Sequence, residues 1–111
     1  MNEEFQVVKS CLMIRMPREV DHHQARRIRE TADRYIERRE ISHVIFDFGI
    51  TEFMDSSGIG VIMGRYKKME ILGGKVLAIH VNGGLRRIFK ISGLHKVIEV
   101  VEEDNHGGND Q

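Results

Sequence analysis

The chain has 111 residues, and 17 Lys and Arg against 17 Asp and Glu give a formal net charge of zero. With 41% hydrophobic and 31% charged residues it can bury a core beneath a wet surface, which predicts one globular domain and excludes wholesale disorder. The balance leaves no long-range basic field for nucleic acid, and a single cysteine, Cys11, excludes an internal disulfide and a thiolate metal cluster.

The acidic start Met1-Asn2-Glu3-Glu4 is unlike a basic signal peptide, and no apolar run approaches the roughly 18 residues of a membrane span. A soluble cytoplasmic protein is expected. Two short apolar stretches, residues 5–8 and 11–16, read as a hairpin across Lys9-Ser10, with Cys11 as a buried strand residue. Pro17 ends the second strand because it cannot donate to a ladder. Asp21 is placed to cap a helix in which Ala25, Ile28, Ala32, Tyr35 and Ile36 recur at helical spacing. Its other face carries Arg26, Arg27, Arg29, Glu30, Asp33, Arg34, Glu37 and Arg38, interleaved as a solvated helix face would be.

Residues 43–48 form a compact apolar strand that should be central in a sheet. After a loop and the segment Phe53-Met54-Asp55-Ser56-Ser57-Gly58, the stripe Ile59, Ile62, Met63, Tyr66 and Met69 predicts a second helix, stopped by Gly73-Gly74. Residues 75–80 are the next strand. Asn82-Gly83-Gly84 opens a short helix with Leu85, Ile88 and Phe89 inward and Gly93 as its stop, and residues 97–101 are a last strand. Strand, helix, strand, helix, strand implies parallel crossovers, so the fold class is α/β: a mixed central sheet with an N-terminal hairpin and helices packed on it. Residues 1–101 make the domain. Residues 102–111 hold no apolar group and are expected to be a polar, disordered tail.

Asp55-Ser56-Ser57-Gly58 is the most informative stretch, since a helix N-terminus offers unpaired N–H groups and a partial positive charge there. A plain helix cap is one reading. Gly58, Gly60 and Gly64 argue for more, at about 1 kcal/mol each relative to Ala in a helix. Close approach of another backbone would explain them: Gly58 and Gly60, in an exposed first turn, favour a partner, whereas packing on the domain's own sheet explains Gly64 as readily. His22-His23 point about 100° apart on a helix and lack a third ligand, so a metal site is not expected. Neither serine lies in a nucleophile elbow, and Asp47 with Asp55 lacks the acidic cluster of a phospho-aspartyl receiver. Gly83-Gly84 with Arg86 and Arg87 could hold an anion, although a helix start explains them without one.

Several separated blocks together resemble one family, the STAS-domain anti-sigma factor antagonists, and within it the sporulation type. They are Glu19-Val20-Asp21-His22-His23, Phe53-Met54-Asp55-Ser56-Ser57-Gly58-Ile59-Gly60, Gly64-Arg65-Tyr66-Lys67, Leu85-Arg86-Arg87-Ile88-Phe89 and Ser92-Gly93-Leu94, spread over residues 5–101. Arg18 stands where the family usually has Gly, and the polar tail where it usually has a C-terminal helix. The resemblance implies a partner switch without catalytic residues, metal or cofactor of its own. The unphosphorylated antagonist binds an anti-sigma factor that is also a serine kinase and frees a sporulation sigma factor; phosphorylation of Ser56 ends binding, and a PP2C-type phosphatase resets it. It further implies a partner surface of Glu19, Asp21, His22, Asp55, Ser56, Ser57, Gly58, Ile59 and Gly60, with no direct contact to nucleic acid or membrane. A stress-response antagonist or a ligand-sensing STAS domain shares the fold, and a small enzyme with a Ser or Asp nucleophile is the reading from another class. No Walker motif or kinase glycine loop is present, so a kinase must bring its own ATP site.

Overall fold

The computed structural model describes residues 4–102. In chain order the elements are β1 (Phe5–Val8), β2 (Cys11–Arg15), β3 (Glu19–Val20), α1 (His22–Arg38), β4 (His43–Asp47), β5 (Phe53–Met54), α2 (Ser56–Ile71), β6 (Lys75–Ile79), α3 (Gly83–Ser92), one 3-10 turn at Leu94–Lys96, and β7 (Glu99–Val100). The hairpin is present. Val8 pairs with Cys11, and Lys9 adopts φ 57, supplying the left-handed backbone that a tight turn needs where no glycine is available.

The main sheet has the order β1-β2-β4-β6-β7, antiparallel between the first two strands and parallel thereafter. β4 is the middle strand, as its apolar run predicts. Every parallel crossover moves one place in the same direction, and right-handed crossovers of that kind stack all three helices on one face. Burial agrees with the topology: Leu12, Ile14, Val44, Phe46, Val76 and Ala78 are buried, whereas Cys11, Met13, Ile45, Leu77 and Ile79 on the opposite face are half-buried. Cys11 is therefore less enclosed than its apolar neighbours suggest, because side chains alternate across the sheet and it falls on the uncovered side.

Helix α1 buries Ala25, Ile28, Ala32 and Ile36, and Tyr35 stacks on Phe5 with ring centroids 5.7 Å apart. Helix α2 packs against α1 on one side and against β4 and β6 beneath it, so its buried arc is wider than the expected stripe. Val61 and Arg65 join Ile62 and Met69 inside, while Ile59, Met63 and Tyr66 are half-buried at the flanks. Helix α3 buries Leu85 and Phe89, with Phe89 edge-on to Phe48 at 5.5 Å, and ends on Gly93 at φ 82, a left-handed stop. The last strand is shorter than expected, two residues instead of five, because Val97 and Ile98 still donate their N–H groups to Leu94 O in closing the 3-10 turn. The predicted disordered tail lies outside the described residues except for Glu102, whose carboxylate accepts from both ends of the Arg86 guanidinium at 2.7 and 3.1 Å.

Two features are absent from the sequence reading. The first is a separate two-stranded sheet of β3 and β5. The second is a charge lock between α1 and α2: Arg65, only 7% exposed, sets its Nε 3.2 Å from Asp33 Oδ1, and Lys68 reaches both Asp33 and Glu37. Burial pushes the Arg65 guanidinium below its ordinary pKa, against the opposing pull of Asp33. Its position three residues after Ile62 and four before Met69 was the available signal, since those spacings share one helix face.

Candidate functional site

The short ribbon positions the site. Glu19 lies beside Phe53 and Val20 beside Met54 in parallel register, and Asp55 N–H donates to Val20 O at 3.2 Å. Thr51 anchors the approach, its hydroxyl donating to Pro17 O at 2.9 Å, while Arg18 O accepts from Glu52 N–H at 2.7 Å. Arg18, the departure from the family pattern, also pairs through its side chain with Glu52 at 2.9 Å. The loop therefore forms around it.

Each ribbon strand runs directly into an aspartate that caps a helix. Asp21 accepts from Gln24 N–H at 2.9 Å with φ −95 and ψ −174, and Asp55 accepts from Ser57 N–H at 2.8 Å with φ −97 and ψ −172. Two helices thus start side by side with near-identical caps, and their positive ends share one edge of the molecule. Ser56 is the first residue of α2 and is exposed; Ser57 is half-buried and faces α1. Glu19, His22 and Gly60 are exposed around them, with Asp21, Asp55 and Ile59 half-buried.

Gly58 is the exception among the residues expected at this surface. It is buried, and a Cβ there would overlap Met54 Cγ and come within 3.0 Å of Val20 Cγ1. Its glycine serves the domain's own packing, because α2 sits directly on the ribbon. A Cβ on Gly60 would meet nothing within 4 Å beyond the helix's own backbone, and the same is true of Gly64, so the sheet does not account for either residue.

The other candidates are dispersed. Asp47 accepts from Gly49 N–H at 2.9 Å and pairs with His80 Nδ1 at 2.8 Å, at the end of β4, while Asp55 is engaged in its cap, so the two carboxylates serve different partners. His22 and His23 stack edge to face at 5.4 Å, and no cluster of metal-ligating side chains occurs among the described residues. Gly83 and Gly84 open α3 under an Asn82 cap, with Leu85 N–H donating to Asn82 Oδ1 at 2.9 Å. No base is hydrogen-bonded to the hydroxyl of Ser56 or Ser57 among the described residues. No helix there is long and apolar enough to cross a membrane.

A family model described as the STAS domain matches residues 3–106. The chain belongs to the STAS family. This STAS domain is 35% identical over 96 residues to the anti-sigma F factor antagonist of Paenibacillus polymyxa, covering 86% of this chain and 82% of that one. The anti-sigma factor antagonist SpoIIAA in its unphosphorylated form superposes with a TM-score of 0.78 at 30% identity, covering 89% of each chain. SpoIIAA of Bacillus in the phosphorylated form gives 0.71 at 30% identity, over 89% of this chain and 92% of that one.

Proposed function

We propose that this STAS domain is an anti-sigma factor antagonist whose binding is switched off by phosphorylation of Ser56. The observation that carries the reading is the placement of Ser56: exposed, directly after Asp55, at the first position of a helix that begins beside a second Asp-capped helix. The likeness to an antagonist solved in both phosphorylated and unphosphorylated forms supports it. In this reading the unphosphorylated domain binds an anti-sigma factor that doubles as its serine kinase, a sporulation sigma factor is released, and a PP2C-type phosphatase restores the hydroxyl. The domain works in the cytoplasm as a regulator and performs no catalysis itself.

The chemistry follows from the helix end. Phosphorylation adds about −1.5 to −2 charge and three acceptor oxygens, which the N–H groups and positive end of α2 can accommodate. The folded state therefore survives the modification. A partner surface pressed against the same turn meets added bulk and charge, and the carboxylates of Asp55 and Asp21 add to the repulsion. The kinase supplies ATP, Mg²⁺ and the base that accepts the serine proton.

Incubation with ATP and the cognate anti-sigma factor should add one phosphate by intact mass, and Ser56→Ala should add none. Peptide mapping that places the phosphate on Ser57 would remove Ser56 from the switch.

A further inference from the structure

A groove of about 470 Å³ runs between α1 and α2. His22, Arg26 and Arg29 line the α1 wall, and Ser57 and Gly60 line the α2 wall, so the groove opens beside the proposed switch. Both arginine side chains are more than half exposed, at 69% and 51%. They share one weak acceptor: Arg26 Nε lies 3.5 Å and Arg29 Nη2 4.0 Å from the same oxygen of Glu30. One carboxylate cannot neutralise two guanidinium groups, so that wall keeps surplus positive charge.

No acidic side chain lines the groove itself. Asp21 and Asp55 turn their carboxylates into the helix caps, and Asp33 is engaged by Arg65 and Lys68. The Asp21 and Asp55 charges offset the positive ends of α1 and α2, so the surplus rests on Arg26 and Arg29. The opposite wall is bare backbone at Gly60, where nothing beyond the helix's own backbone lies within 4 Å of the Cβ position. A segment that carries a carboxylate can therefore approach closely on one side and meet forked donors on the other. An apolar segment would strip water from two guanidinium groups without replacing their partners, which is costly.

We propose that this groove receives an acidic segment of the anti-sigma factor, with an Asp or Glu side chain between Arg26 and Arg29 and the segment's backbone over Gly60. The inference rests on the antagonist reading and deepens it by naming the partner's chemistry. The contact is exposed to solvent, so it acts chiefly on the rate of association and is screened by salt.

The test measures association of the purified anti-sigma factor with the parent, with R26Q/R29Q and with R26E/R29E, at about 0.05 and 0.5 M salt. At low salt the reversed pair should associate about tenfold more slowly and the neutral pair less severely so. The three should converge at high salt. Melting curves should superpose for parent and neutral pair, which controls for like charges placed at i,i+4 by the reversal. A parent that binds beside variants with the same rate and the same salt dependence overturns the groove proposal alone. A parent that does not bind overturns the antagonist reading, and the groove proposal falls with it.

Discussion

Gly58 and Gly60 lie two residues apart in one helix, yet alanine should act on them in opposite directions. Each substitution gains helix propensity, up to about 1 kcal/mol. At Gly60 nothing opposes the gain, because the Cβ would enter open space. At Gly58 the new methyl overlaps Met54 Cγ, crowds Met54 Sδ at 2.7 Å and stands 3.0 Å from Val20 Cγ1. Met54 is 3% exposed and Val20 fully buried, and the ribbon holds both backbones, so neither can move aside freely. Overpacking of this kind costs about 1–3 kcal/mol. Comparing the two alanine variants largely cancels the propensity gain, so Gly58→Ala should be the less stable by about 1–3 kcal/mol. At roughly 4–8 °C per kcal/mol for a domain of this size, thermal melts resolve the difference readily. Equal melting temperatures, or a lower one for Gly60→Ala, would refute the packing argument.

Open space at Gly60 also bears on binding: Gly60→Leu should fold and yet lose the complex, checked by a melt and a pull-down on one preparation. Ser56→Asp should weaken anti-sigma binding while shifting stability by no more than about 1 kcal/mol, the size of a cap or dipole effect; a denaturant titration beside a binding isotherm tests both halves. Asp33→Ala should cost about 3 kcal/mol by stranding the Arg65 charge in the α1–α2 seam, and adding Arg65→Met should recover most of it. Chemical denaturation of the single and double variants decides that point.

How much the sequence discloses depends on how many residues share a signal. Helix α1 was legible because Ala25, Ile28, Ala32 and Ile36 repeat over about three turns, and β4 because Val44, Ile45 and Phe46 are consecutive strand-favouring residues. The β3–β5 ribbon was not, since two-residue strands carry no period to read. Arg65 was missed for a different reason. Its spacing from Ile62 and Met69 puts it on the buried face, but a charged residue normally faces water, and only the tertiary placement of Asp33 gives that charge a partner inside. The serine motif and its neighbours were recognisable as a pattern. Which glycine served the fold was not, because Gly58 and Gly60 look alike until Met54 and Val20 are placed around one of them.

The ribbon pairs Glu19 with Phe53 and Val20 with Met54, residues far apart along the chain. A peptide spanning only the serine motif would lack β3 and with it the neighbouring helix start, so the paired surface cannot pre-exist in any short fragment. The two aspartate-capped ends come into register only after the intervening α1 and β4 have taken their places. A partner that reads both ends at once is, in effect, inspecting the completed fold, and nascent or partly unfolded chains present nothing for it to grip.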